Sequence, residues 1–309
     1  MENLAVLSVV GAISGLFSGL LGIGGGVIIV PALIVMLPHF GLAGPDLVKV
    51  AMATSLTTVV VTGLAGAAPH LARSAVDWVA VRRLAPGIVL GSFAGSQLSG
   101  MTDGLLLTIF FVGFLLYAAW QMLPEHRIAH PATGRLPGLP GLSVKGFGTG
   151  IFCSMLGIGG ALFLVPLLSA YISIQRSIAT TSVLGIPLAV TAAASYLLAD
   201  TPTATCSSGC AGYVYLEGAG AIAAATILTA PLGAYLTHVL PTGPLRMVFA
   251  ACMVVIAGQM TWKNTPSVDS AAYTASLRDW LTAADTRPRP ARPLWLDEAS
   301  VVKQAVVAR

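Results

Sequence analysis

The sequence predicts an all-α fold, a polytopic membrane helix bundle, from its composition, its long apolar blocks and an internal repeat. Of its 309 residues, 56% are apolar and only 9% are charged, and the mean hydropathy is +0.85. A typical soluble domain carries about 25% charged residues. So few charges cannot cover a water-facing surface of this size, which argues against a soluble enzyme.

The net charge of +4 predicts loop arginines that face a membrane surface, and no nucleic-acid partner. The histidines and cysteines lack the spacing of zinc ligands, so we expect no metal site. A Walker A pattern is also missing from the sequence, which argues against ATP hydrolysis by this chain. We therefore predict no cofactor, no catalytic residues and no enzyme activity.

A membrane-spanning helix needs about 20 predominantly apolar residues. The chain has eight apolar blocks, four on each side of a polar stretch that contains four prolines. The blocks are Leu4–Leu37, Val48–Ala68, Leu84–Leu98, Leu105–Leu123, Gly146–Ile172, Ala179–Leu198, Leu216–Leu240 and Leu245–Trp262. This pattern predicts a first transmembrane repeat (1–123), a cytoplasmic linker (124–145), a second repeat (146–262) and a polar C-terminal tail (263–309).

The two sets of blocks are similar in sequence. A shift of 135 places aligns Gly11–Leu33 with Gly146–Leu168, and 11 of the 23 aligned positions are identical. Further along, Thr54-Ser55 aligns with Thr181-Ser182. The chain is therefore predicted to contain two homologous repeats.

The first block is too long for one straight crossing. Its 34 residues would make a helix of about 50 Å, against a hydrocarbon core of about 30 Å. We expect a break at its Gly-Ile-Gly-Gly cluster, because glycines weaken a helix and permit positive φ. The same break is expected in the second repeat.

Unwound backbone at membrane depth must be buried in protein or line a cavity, and a helix that restarts there directs its first N–H groups into it. Broken helices at matching places in two repeats indicate a transporter's binding site. The alternative is that these glycines only allow close helix packing. The predicted substrate-binding glycines are Gly22, Gly24, Gly25, Gly26, Gly157, Gly159 and Gly160.

Hydroxyl groups are the second predicted part of the site. The apolar blocks contain almost no ionisable residues, so we expect no buried cation to neutralise an anion. Hydroxyls can donate to an oxyanion without a fixed charge, or can instead bond back to the carbonyl of their own helix. Both interpretations stay open for Thr54, Ser55, Thr181 and Ser182.

Other glycines are spaced four residues apart and favour close helix packing. They are Gly11, Gly15 and Gly19, Gly91 and Gly95, and Gly146 and Gly150.

The paired Leu-Gly-Ile-Gly-Gly-x-x-x-x-Val-Pro motifs, starting at Leu21 and Leu156, resemble the TauE/SafE family of sulfite and sulfonate exporters. So do Ala53-Thr-Ser55, Thr180-Thr-Ser182, Val76-Asp-Trp78 and Gly212-Tyr-Val214. The resemblance covers roughly residues 5–262. It implies a multi-pass permease of the inner membrane for small anions such as sulfite, thiosulfate, taurine or sulfoacetate.

The second copy of the motif departs from the first, because Ala161 stands where the first copy has Gly26. The two breaks therefore need not be equivalent. We also expect Gly26→Ala to be milder than Gly25→Ala.

The predicted function is a secondary transporter of a small anion in the cytoplasmic membrane, with the lipid bilayer and this anion as partners. The coupling ion, proton or sodium, and the oligomeric state are open. Asp77, Glu217 and His238 are candidates for proton coupling, or they lie at helix ends and membrane interfaces. One alternative function is an anion channel. Another is a membrane thiol or redox protein that uses Cys206 and Cys210, which we expect to be crosslinked if their loop faces an oxidising compartment.

Two membrane topologies agree equally well with the positive-inside rule. In one, the long blocks Leu4–Leu37 and Gly146–Ile172 each cross once. In the other, each folds back as a re-entrant hairpin, and the repeats have opposite orientations. Both place the loops 70–83 and 124–145 in the cytoplasm, and they differ in the side of the tail.

Overall fold

Helices make up most of the described residues in the computed structural model, which describes residues 2–21, 25–42, 44–72, 76–121, 136–200, 206, 209–236 and 242–264. The helices are α1 (Glu2–Leu21), α2 (Gly26–Met36), α3 (Leu47–Ala72), α4 (Trp78–Met101), α5 (Gly104–Gln121), α6 (Leu139–Leu156), α7 (Ala161–Ser169), α8 (Ile174–Leu197), α9 (Leu216–Leu236) and α10 (Thr242–Asn264). A 3₁₀ turn, Leu37–Phe40, follows α2. A small antiparallel hairpin, β1 (Cys210–Ala211) with β2 (Val214–Tyr215), precedes α9.

The predicted all-α membrane fold is confirmed. Within the described residues, four helical stretches are long and apolar enough to cross a membrane, and they lie in α3, α5, α8 and α9. They are Leu47–Ala68, Gly104–Gln121, Gln175–Leu197 and Leu216–Gly233. Six of the eight apolar blocks correspond to one helix each, whereas the first and fifth blocks each contain two.

The helical unit runs to Trp262, and residues 265–309 of the predicted tail lie outside the described residues. Helix α6 begins at Leu139, inside the predicted linker. Pro140 lies in its first turn, where a missing N–H costs no intrahelical hydrogen bond. The prolines of the linker therefore allow the helix to start earlier than its apolar pattern indicates.

Two helix pairs pack closely across the halves of the chain, α1 with α9 and α4 with α6. Glycines make this possible, as the four-residue spacing predicts. A Cβ on Gly15 would lie 2.8 Å from the carbonyl oxygen of Thr226. A Cβ on Gly150 would lie 2.6 Å from that of Ile88. The backbones are in direct contact, and the first helix of each half packs on a helix of the other.

Helix α3 forms the centre of the bundle and packs against α8. Its segment 50–53 and Leu56 are fully buried. Small residues such as Ala51 and Ala53 let the neighbouring helices approach closely. The centre of the fold is therefore the contact between α3 and α8, with the broken helices on either side.

Two reciprocal hydrogen bonds hold these central helices to the other half of the chain. The Tyr215 N–H donates to Thr54 Oγ1, and the Asp77 N–H donates to Thr180 Oγ1, each over 3.0 Å. Thr54 and Thr180 thus make matching contacts, which favours a register that pairs Thr54 with Thr180 in place of the predicted Thr181. Three consecutive hydroxyl residues at 180–182 make the two registers nearly indistinguishable in sequence.

Candidate functional site

Helix α6 breaks at the second glycine cluster, as predicted. Gly157 ends the helix with φ of 72°, and Gly160 precedes α7 with φ of 79°. Both values lie in the left-handed region that glycine adopts without a Cβ penalty. Because all of 157–160 is buried, the unwound backbone is enclosed by protein, as a membrane protein requires.

The loop 157–160 lies between the two central helices. On the α3 side, a Cβ on Gly157 would be 2.8 Å from Met52 Cα, and one on Gly159 would be 3.0 Å from Val59 Cγ1. On the α8 side, a Cβ on Gly185 would be 3.1 Å from the Gly159 carbonyl oxygen. The second break therefore occupies the middle of the bundle.

The start of α2, which follows the first glycine cluster, meets the second break. A Cβ on Gly26 would lie 2.8 Å from the Gly157 carbonyl oxygen and 3.0 Å from Ile158 Cα. Gly25 precedes α2 with φ of −64°, and its carbonyl accepts a hydrogen bond of 3.0 Å from Ser14 Oγ. Gly22 and Gly24 lie outside the described residues.

This contact reverses the expected order of the two alanine substitutions. A methyl group on Gly25 would meet the movable Ser14 hydroxyl at 2.6 Å, whereas one on Gly26 would meet backbone atoms of the other break. Gly26→Ala is therefore expected to be the more disruptive change. Ala161 in the second copy suggested that an alanine is tolerated at Gly26. This inference fails because the two glycine clusters have different neighbours.

The four predicted hydroxyls have different partners. Ser55 Oγ donates a hydrogen bond of 2.8 Å to the Gly157 carbonyl and so fixes the loop to α3. Thr54 accepts the Tyr215 N–H, and Ser182 bonds back to Ile178 within α8. Thr181 is buried, and its hydroxyl has no hydrogen-bond partner among the described residues.

The chain reverses its direction within the fifth apolar block. Lys145, near the start of α6, donates a hydrogen bond of 3.0 Å to the Tyr171 hydroxyl, which lies just beyond the end of α7. The two ends of the block therefore lie at the same end of the bundle. In the first block, the Ser14–Gly25 bond likewise brings the start of α2 back beside the middle of α1.

Lys49 corrects the expectation that no buried cation exists. It lies in the first turn of α3 with 7% of its surface exposed. Its ammonium pairs with Asp46 at 3.0 Å and donates to the Gly100 carbonyl at 2.9 Å. In the sequence Lys49 stands at the start of the block Val48–Ala68, where a lysine ordinarily extends its charge to the interface. Its burial could therefore not be predicted.

The acidic candidates lie at helix starts, as one of the two interpretations expects. Asp77 caps α4 by accepting hydrogen bonds from the N–H groups of Val79 and Ala80. Glu217 lies in the first turn of α9 and accepts a 3.4 Å hydrogen bond from the Tyr215 hydroxyl. Burial, and next the Glu217 carboxylate, raise the pKa of that hydroxyl, so it remains a donor. His238 lies outside the described residues.

Cys206 and Cys210 are joined in a disulfide beside the β1–β2 hairpin. The described part of the chain brings no three metal-ligating side chains together, and the described His, Asp and Glu residues form no cluster with the disulfide. The bond closes a short loop that leads into the hairpin.

We expect the double variant Cys206→Ser, Cys210→Ser to insert normally and to retain transport within about twofold, because a four-residue loop contributes little to stability. Transport by membrane vesicles, normalised to the amount of inserted protein, measures this. Complete loss of transport with normal insertion would favour the redox interpretation.

Comparison with known proteins places the chain in a family. Residues 7–260 match the profile of the family described as Sulfite exporter TauE/SafE. The chain belongs to this family. Membership confirms the resemblance inferred from the paired glycine motifs, and it identifies the chain as a member of a membrane transporter family.

Two curated relatives of this TauE/SafE protein are similar over most of their length. A probable membrane transporter protein of Haemophilus influenzae is 33% identical over 255 residues, which cover 82% of this chain and 96% of the relative. A probable membrane transporter protein of Methanocaldococcus jannaschii is 31% identical over 232 residues, 74% of this chain and 82% of the relative. No solved structure matches the chain.

Proposed function

We propose that this protein is a secondary transporter that carries a small anion, sulfite or an organosulfonate or related sulfur oxyanion, across the cytoplasmic membrane, without enzyme chemistry. The observation that carries the proposal is the meeting of the two glycine breaks between α3 and α8. Gly26, at the start of α2, lies against Gly157, so the start of α2 and the unwound loop 157–160 share one buried place. Such paired breaks favour an ion or substrate site.

The donors at this place suit an anion. Helices α2 and α7 start at the two breaks, and their first N–H groups have no intrahelical acceptor. A helix N-terminus also carries a partial positive charge. In our proposal these N–H groups and the Thr181 hydroxyl bind the anion. Ser55 and Thr54 hold the surrounding backbone in place.

The chain reversal favours the hairpin topology. If Gly146–Ile172 folds back into the same side of the membrane, as the Lys145–Tyr171 contact suggests, each half crosses the membrane an odd number of times. The halves then have opposite orientations, as in many transporters. With the loops 70–83 and 124–145 in the cytoplasm, the tail lies outside.

This topology is tested by cysteines at two positions in a variant whose native cysteines are replaced. We expect Ser270→Cys to react with an impermeant thiol reagent in intact cells and Thr133→Cys to react only after permeabilisation. Labelling of Thr133→Cys from outside would contradict the cytoplasmic linker. Protection of Ser270→Cys would contradict the hairpins.

Counterflow in proteoliposomes tests the proposed function. Vesicles loaded with unlabelled sulfite, thiosulfate, taurine or sulfoacetate are diluted into a trace of the labelled compound. A carrier exchanges the two and accumulates label transiently for at least one of the four compounds. Flux without accumulation would favour the channel alternative, and no flux for any compound would contradict the proposal.

A further inference from the structure

A buried polar cluster lies where the start of α3 meets the last turns of α4 and α8. Lys49 forms its centre, with its ammonium paired with Asp46 and bonded to the Gly100 carbonyl. The Tyr213 ring centroid lies 6.0 Å from Lys49 Nζ and 6.2 Å from the ring of Tyr196. The cluster thus connects a buried cation with the aromatic side chains beside it.

Two hydroxyls of this cluster have poor partners. Ser99, the neighbour of Gly100, is fully buried, and its Oγ faces the Tyr196 hydroxyl without a well-formed hydrogen bond to any described residue. Tyr196 is 2% exposed and forms a long hydrogen bond of 3.4 Å to the Ser154 carbonyl. A buried polar group without a partner is rare in native proteins, and a bound molecule is one ordinary explanation.

The Lys49–Asp46 pair is unequally buried. The side chain of Lys49 is 9% exposed, whereas that of Asp46 is 25% exposed. Asp46 can therefore turn towards water at a smaller desolvation cost than Lys49, whose ammonium would stay buried without a counter-ion. An ammonium and two hydroxyls are donors that an oxyanion accepts from.

The cluster adjoins the second glycine break. Lys49 lies one helical turn before Met52, whose Cα would be 2.8 Å from a Cβ on Gly157. The carbonyl that accepts from Tyr196 belongs to Ser154, in the last turn of α6. An anion that leaves the break towards the disulfide end of the bundle would reach these groups next.

We propose that Lys49, Ser99 and Tyr196 form an oxyanion subsite beside the second glycine break, where the transported anion replaces Asp46 as the counter-ion of Lys49. The inference rests on the proposed function. The inference goes beyond the proposed function because it assigns a second binding site for the anion and names Asp46 as the carboxylate that competes with it.

Titration of the purified full-length protein with sulfite, thiosulfate, taurine and sulfoacetate tests this subsite. We expect Lys49→Gln to weaken binding of the best of these compounds by at least about tenfold and Asp46→Asn to strengthen it by about threefold. A purely structural ion pair predicts that both variants lose thermal stability and that neither binds more tightly. Unchanged or weaker binding by Asp46→Asn would therefore overturn the proposal.

Two serines of α4 supply a matched control. Ser99→Ala is expected to weaken binding by about threefold or more. Ser96→Ala is expected to leave it unchanged, because the buried Ser96 hydroxyl already donates to the Phe93 carbonyl. Equal affinities of these two variants would mean that the Ser99 hydroxyl contacts water and not the anion, and would overturn the subsite. Should Lys49→Gln fail to fold, Asp46→Asn and Ser99→Ala still decide the question.

Failure of the subsite is distinguishable from failure of the proposed function. If the wild-type protein binds none of the four compounds, the proposed function and the subsite are both overturned. If the wild type binds one of them and the Lys49, Asp46 and Ser99 variants bind it equally well, the subsite alone is overturned.

Discussion

Gly160→Ala is expected to lower transport by about tenfold while the protein still reaches the membrane. An L-residue in the left-handed conformation of Gly160, with φ of 79°, costs about 1–2 kcal/mol, which corresponds to a factor of about 5–30 in a conformational equilibrium. Its Cβ would also press on Leu188 Cδ1 at 3.2 Å. The start of α7 would then move away from the meeting point of the two breaks. The measurement is the initial rate of labelled anion uptake per inserted protein.

Gly25→Ala is the matched control in the first half. Gly25 has φ of −64°, which any residue adopts, so its methyl group causes no backbone strain. We expect a smaller loss of transport, caused by displacement of the Ser14 hydroxyl. Wild-type uptake by Gly160→Ala would contradict a functional role of this loop conformation. A loss of expression that equals the loss of uptake would instead favour a packing role.

Gly150→Leu is expected to prevent stable folding. Its Cβ would lie 2.6 Å from the Ile88 carbonyl oxygen and 2.8 Å from the Ser92 nitrogen, so α4 and α6 would have to separate along their contact. Overpacking of this kind costs about 3 kcal/mol or more when backbone must move. We expect a large loss of detergent-solubilised monodisperse protein and a markedly lower melting temperature.

Gly148→Leu in the same helix is the control for this effect. A Cβ on Gly148 meets no atom within 4 Å, so a bulky apolar side chain there projects into open space. Its melting temperature is expected to match that of the wild type. Equal melting temperatures of the Gly148 and Gly150 variants would show that the glycine contacts do not hold these helices together.

The lengths of the apolar blocks and the glycine spacing were enough to predict the helices and the break at 157–160. A block of the length of Leu4–Leu37 cannot cross a bilayer as one helix, and consecutive glycines are its weakest point. Glycines four residues apart also predicted close packing. Which helices these spaced glycines bring together was not predictable. The structure pairs α1 with α9 and α4 with α6, but a row of small residues on one helix does not specify the helix that packs against it.

The roles of the predicted site residues depend on their side-chain partners, which the amino-acid sequence alone does not show. Ser55 and Ser182 look alike in sequence, yet one fixes the glycine loop and the other bonds within its own helix. The burial of Lys49 depends on Asp46 and Gly100, which reach it only in the folded bundle. For such residues the sequence supplies the chemical group, and the packing decides its role.

The central claim is that the two glycine breaks together form the anion site, and anion affinity across three single-methyl variants tests it most directly. Purified Gly24→Ala, Gly25→Ala and Gly26→Ala are titrated with the compound that the wild type binds best. We predict weaker binding, most of all in Gly26→Ala, because its methyl group would push the first break away from the Gly157 carbonyl. Wild-type affinity in all three variants, with intact folding, would contradict the claim.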